Sequence, residues 1–119
     1  MHDHEQRRCA QLPRAEAIAQ LNDQLRQQGK GGIIVVTRGV MALAGFDALA
    51  VTLALASYQG FDSDNDPHGE RDFGDLKLFD ADLLWKIDYY DLNLEFGSDD
   101  PADASVTKRM LTVMLASDY

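Results

Sequence analysis

The chain has one cysteine, Cys9, so no disulfide can close within it and no oxidising compartment is implied. It has no internal repeat, no low-complexity tract and no interdomain linker. It also lacks a basic stripe: 11 Lys and Arg stand against 20 Asp and Glu, a net charge of −9. With so few cations to displace counterions, direct binding of DNA or RNA is excluded as a reading. An uninterrupted apolar span is missing as well. Gly39 to Tyr58 comes nearest, but Gly45 breaks it, and Asp47 near its centre would cost about 2.5–3.5 kcal/mol in lipid. The opening MHDHEQRRCAQLP has no apolar secretory segment. These absences together lead to the expectation of a cytoplasmic protein with no membrane contact.

What is present fits one small domain. Apolar residues make up 45% of the 119, enough for a single core and too few residues for two. Residues 1–12 read as a flexible polar N-terminal arm, and 13–119 as one α+β domain. Charge is unevenly spread. Residues 1–60 hold five acids and six bases, whereas residues 61–119 hold fifteen acids and five bases. The acids crowd FDSDNDPHGERDFG (Phe61 to Gly74) and the stretch LLWKIDYYDLNLEFGSDDPAD that follows. Such a block repels nucleic acid and attracts cations or basic surfaces.

Periodicity supplies the elements. Pro13 suits a first helical turn, and Ile18, Leu21 and Leu25 then recur on one stripe until Gly29, Gly31 and Gly32 turn the chain. Ile33-Ile34-Val35-Val36-Thr37 has no polar alternation, as expected of a strand covered on both faces. Asp47 is placed to cap an uncharged helix, Ala48 to Tyr58, which should lie deep in the core or under a partner. Alternation then predicts strands at Leu76/Leu78, at Leu83/Trp85/Ile87/Tyr89 and at Leu92/Leu94/Phe96, with a turn at Asp80-Ala81-Asp82. Asp100, Pro101 and Asp103 look like a helix start. Val106, Met110, Val113 and Met114 would be the stripe of that last helix. The predicted order is α-β-α-β-β-β-α: about three helices packed on a small, mostly antiparallel sheet.

The chemistry-bearing residues concentrate in the acidic half. Asp62, Asp64 and Asp66 have the alternate spacing of a calcium loop, and with His68 they are the weak candidates for a divalent cation. Pro67 and Phe73, however, occupy positions where that motif needs glycine and glutamate. No bound cofactor is expected beyond such weak cation binding. His68, Glu70 and Asp72 alternate, and with Asp88 and Glu95 they could form a carboxylate–histidine site. Salt bridges to Arg71, Lys77 or Lys86 on the outer sheet face are the plainer account of the same residues. Cys9 with His2 and His4 reads as an ordinary surface thiol beside two histidines. Tyr90 is the aromatic placed among charges.

Three long stretches, NDPHGERDFG (Asn65 to Gly74), WKIDYYDLNLEFGS (Trp85 to Ser98) and DPADASVTKRMLTVMLASDY (Asp100 to Tyr119), carry a family resemblance. With VTRGV at Val36 to Val40, they resemble the bacterial domain-of-unknown-function family numbered 3768, over about residues 15 to 119. The resemblance implies an alphaproteobacterial setting, often on plasmids and other mobile elements. It implies no activity and carries over no catalytic residue. The leading expectation is a non-enzymatic acidic interaction protein, an inhibitor of a nucleic-acid-binding or defence protein (anti-restriction or anti-CRISPR in type). It would present Asp62, Asp64, Asp66, Glu70, Asp72, Asp88, Tyr90 and Glu95 to a basic protein surface, as a DNA mimic does. The alternatives are a metal-dependent enzyme using His68, Glu70, Asp72 and Asp88, and a self-associating homodimer buried through Ala48–Tyr58 or Met110/Met114.

Overall fold

A computed structural model describes residues 12–119. The expected arm, with Cys9, His2 and His4, thus lies almost wholly outside the described residues. Helix α1 (Arg14–Gln28) follows Pro13 and ends at Gly29, at φ 71°, where the Gly29 N–H donates to the Leu25 carbonyl and the Lys30 N–H to the Gln24 carbonyl. That left-handed cap is the conformation glycine adopts without a Cβ penalty. Strand β1 (Gly32–Val36) comes next, then the short α2 (Arg38–Met41) and α3 (Ala48–Ala56). Asp47 caps α3 as expected, its Oδ1 accepting the Leu49 N–H at 3.0 Å. Gly39 to Tyr58 is therefore two short helices around a turn, and among the described residues no helix is long and apolar enough to cross a membrane.

Strands β2 (Phe73–Leu78), β3 (Ala81–Tyr90) and β4 (Lys108–Leu115) complete the sheet, and a 3-10 turn follows at Ala116–Asp118. Among the described residues the sheet has four strands in the order β1-β4-β3-β2. β1 runs parallel to β4 and the other pairs are antiparallel, so the α+β class with a mostly antiparallel sheet is observed.

Two expectations are corrected. The terminal helix is strand β4, paired on both sides, with Leu111 and Val113 fully buried. Thr107, Thr112 and Val113 favour extended chain, and two ladders outweigh the local helix-start signal. That signal forms turns instead: Asp100 accepts the Ala102 N–H, and Asp103 accepts the Ser105 N–H and hydroxyl. The second correction is Leu92/Leu94/Phe96, which is a loop with one isolated bridge, Tyr90 to Gly97, and not a strand. Smaller differences follow. β1 is an edge strand with Ile34 39% exposed, so it is not covered on both faces. The β2–β3 turn sits one residue earlier, at Phe79-Asp80, both with positive φ.

The core lies between one sheet face and α1–α3: Leu25, Val40, Val51, Leu55, Leu76, Leu83, Trp85, Ile87, Leu111 and Val113. Tyr58 and Phe61 pack edge-on against Trp85, with ring centroids 5.4 and 5.9 Å away. Gly74 lies under this aromatic group. A Cβ there would stand 2.6 Å from both Trp85 Nε1 and Tyr58 Cζ, which explains the glycine that ends the ERDFG run.

Candidate functional site

The buried face of α1 is partly polar: Ile18, Ala19 and Leu25 share it with Asn22, 0% exposed, and Arg26, 4% exposed. Strand β4 adds Arg109, 2% exposed, in alternation with Leu111 and Val113. Buried groups of this kind are costly unless hydrogen-bonded, and here they bond to one another. Asn22 Oδ1 accepts from Arg109 Nε at 2.6 Å, while Asn22 Nδ2 donates to the Tyr89 hydroxyl and to the Glu70 carbonyl, each at 2.9 Å. The Tyr89 hydroxyl donates to Glu70 Oε1 at 3.0 Å. Arg109 also donates to the Pro101 carbonyl and lies 5.1 Å over the Tyr89 ring. Burial pushes the Tyr89 hydroxyl pKa up and the Arg109 pKa down.

Beside it runs a chain of ion pairs. Arg71, held at φ 54°, reaches Asp23 at 2.9 Å and Glu16 at 3.1 Å, and these carboxylates hold its guanidinium above its ordinary pKa. Asp23 also accepts from Arg26 at 3.1 Å. Arg26 turns its other amine to the Leu55 carbonyl at 2.7 Å, closing the C-terminal end of α3, and lies over Phe61.

The acids singled out from sequence are divided. Asp66 caps the Arg71 N–H at 2.9 Å, and Glu70 belongs to the Tyr89 network. Asp72 is half-buried, and burial, then the neighbouring Glu70, raises its carboxyl pKa. Asp62 accepts the N–H groups of Asp64 and Asn65, at 2.9 and 3.0 Å, and so shapes its own turn. Asp64 and His68 are exposed. Asp88 and Tyr90 lie on the sheet face away from the helices, where Asp88 pairs with Lys86 at 2.9 Å. Glu95 is exposed in the 91–97 loop. His68, Glu70 and Asp72 thus stay in one neighbourhood and Asp88 does not join them. Among the described residues no three His, Cys, Asp or Glu side chains are grouped to hold a metal ion, the cation candidates Asp62, Asp64, Asp66 and His68 included.

One surface feature does gather carboxylates. A shallow groove of about 370 Å³ beside β2 is lined by Asp62, Asp64, Asp75, Gly60, Asn65 and Phe73. Asp75, which the sequence reading left out, accepts from the Tyr58 hydroxyl at 3.2 Å.

A family described as a protein of unknown function, DUF3768, matches residues 36–118. The chain belongs to this family. The match runs from the end of β1 through β4, so it takes in the loop of Asp66, Glu70, Arg71 and Asp72 together with Gly74, Trp85, Tyr89 and Arg109. Helix α1, which supplies Asn22, Asp23 and Arg26 to the same network, lies before the matched segment. No curated protein and no solved structure matches the chain.

Sequence reading missed Asn22 and Arg26, and it placed Lys108 and Arg109 on the outer face of the expected last helix, whereas Arg109 is buried in β4. The signal was there: Asn22 and Arg26 lie four and eight residues after Ile18 on the apolar stripe, and Arg109 is two and four before Leu111 and Val113.

Proposed function

We propose that this DUF3768 member is a non-enzymatic interaction protein whose acidic surface docks on a cationic protein, of the kind that otherwise holds nucleic-acid phosphates. One observation carries the reading. The fold withdraws Arg26 and Arg109 into its interior and ties Arg71 between Glu16 and Asp23, while Asp62, Asp64 and Asp75 stay at the rim of a surface groove. Carboxylates therefore dominate the outward-facing charge, in keeping with the net −9 of the whole chain. A field of that sign steers basic partners and is screened by salt. Within the acidic set, Asp66, Glu70 and Asp72 serve the fold, and Asp62, Asp64, Asp75 and Glu95 are the contacts.

The test is affinity capture with the tagged chain from a bacterial lysate at low and high salt, followed by mass spectrometry. It is then repeated with Asp64→Asn, Asp75→Asn and Glu95→Gln combined. The expected result is a basic, nucleic-acid-binding protein that high salt strips away and the triple variant fails to hold. Equal retention by the triple variant would overturn the reading.

A second reading, self-association, is favoured by α3, which carries no charge and leaves Leu49 62% and Leu53 60% exposed. Sedimentation at high concentration decides it: a monomer there removes the homodimer.

A further inference from the structure

We infer that the loop Asp91–Gly97 is a preformed apolar docking tip, and that it inserts into an apolar pocket, rimmed by Lys or Arg, on a partner protein. The proposal rests on the acidic-surface reading for the polarity of its partner and adds where the partner is gripped. Leu92 is 58% exposed, Phe96 71% and Leu94 38%, three large apolar side chains within five residues. An apolar loop that merely lacked burial would be expected to stay loose. This one is tied by its own hydrogen bonds. Asp91 N–H donates to the Phe96 carbonyl at 2.8 Å, Leu94 N–H to the Asp91 carbonyl at 3.0 Å, and Ser98 N–H to the Tyr89 carbonyl at 3.0 Å. The Asp91 carboxylate accepts the N–H groups of Asn93 and Glu95, at 3.1 and 3.0 Å. The N–H groups of Asp91, Asn93, Leu94 and Glu95 are thus held within the chain, while the large apolar side chains are exposed.

Backbone conformation points the same way. Leu94 sits at φ 60°, where glycine or asparagine is the usual choice, so a bulky apolar side chain is kept at a position that penalises it. An exposed phenylalanine flanked by leucines on a turn tied by its own hydrogen bonds suits an interface anchor, because little ordering cost is left to meet on binding.

The surroundings choose the partner. From Asp88 to Asp103 the chain carries six acids and no Lys or Arg. Asp88 is paired with Lys86 and Asp100 with Arg14, but Glu95 and Asp99 are exposed and make no side-chain hydrogen bond or ion pair among the described residues; Lys108 lies opposite Tyr90 at the loop's base. A pocket that accepts Phe96 beside these carboxylates is complementary when its rim is cationic. A second copy of this chain would bring the same acids to the contact, which disfavours it as the occupant.

The test uses the full chain, immobilised, against a displayed library of random peptides, with Phe96→Ser as the comparison. Circular dichroism should show the variant folded, since the ring is mostly in solvent. Recovered peptides that combine aromatic or aliphatic residues with Lys or Arg, and that bind Phe96→Ser at least tenfold more weakly, are the expected result. Peptides enriched in Lys and Arg alone, equally held by both proteins, would overturn the docking tip and leave the acidic surface standing. Recovery of no salt-sensitive peptide would overturn both. A wild-type dimer that Phe96→Ser dissolves would assign the tip to a second copy and overturn the proposal in that way.

Discussion

The two regions at the far end of β3 invert each other. Tyr89, half-buried, turns inward to a place where two guanidinium groups and an amide are buried and bonded, whereas from Asp91 to Gly97 leucine and phenylalanine face solvent. Each departs from the rule that apolar groups go inside and charges outside. The difference between them lies in what is left over. In the network almost every polar group finds its partner within the chain, although Arg26 Nε remains buried without one. In the loop four main-chain N–H groups are bonded within the chain and the large apolar side chains are exposed. A region that completes itself serves stability, and one that does not is where the proposed association would be made.

The sharpest way to break this comparison is to cut the network at its centre. Asn22 is the one amide that bonds Arg109, Tyr89 and the Glu70 carbonyl together. Asn22→Ala would leave the Arg109 guanidinium buried and short of an acceptor, in a place with no carboxylate in direct contact. The expected loss is about 3 kcal/mol, as for removing one partner of a buried charged group. Urea melts should show the midpoint falling at an unchanged slope. A loss under about 0.5 kcal/mol would mean that water replaces Asn22 readily, and that this region is less closed than its hydrogen bonds indicate.

How much of this was legible beforehand depends on whether the signal was local. The Asp47 cap, the inward set Leu83, Trp85, Ile87 and Tyr89, and the family stretches needed only neighbouring residues, and all were visible. The last element was misread because its decisive partners are distant. β4 is a strand through Gly32–Val36 on one side and Leu83–Tyr90 on the other, and an Asp-Pro start cannot report either. Leu92/Leu94/Phe96 failed in the opposite sense. Alternation assumes that apolar residues seek the core, so it assigns a buried strand wherever they alternate and has no provision for a loop that shows them to solvent. The buried polar residues were hidden by a similar assumption, that Asn and Arg on a helix face outward. The divided placement of the acids could not be read from composition at all, because charge counts carry no direction.

A smaller effect should come from Asp72, at the edge of the network. Burial and the nearby Glu70 raise its carboxyl pKa above 3.8 in the fold. The folded protein therefore holds this proton to higher pH than the unfolded chain does. Stability contributed by the protonated group is present below the unfolded value and is lost as pH rises through the folded one. Asp72→Asn mimics the protonated form. Its stability relative to wild type should grow between pH 4 and pH 7, measured as the difference in urea midpoint at the two values. A constant difference across that window would show that Asp72 is not desolvated, and would return it to the set of outward acids.

The smallest stability effect should be at the loop, and its smallness is the point. Phe96 is 71% exposed and Leu92 58%, and neither side chain belongs to the core cluster or to its packed rim. Replacing both by serine removes apolar surface that folding has barely taken out of water, so the transfer gain at stake is small. The carbonyl of Phe96 and the carboxylate of Asp91, which close the turn, are untouched by the exchange. Stability should stay within about 0.5 kcal/mol of wild type, the usual range for surface positions. Thermal and urea melts of the double variant would show it. A loss of 2 kcal/mol or more, the order expected for removing buried apolar side chains, would place both residues in a packed interior and erase the contrast with Tyr89. An unchanged melt would leave two well-positioned apolar side chains with no part in folding, which is what the proposed contact with another molecule requires.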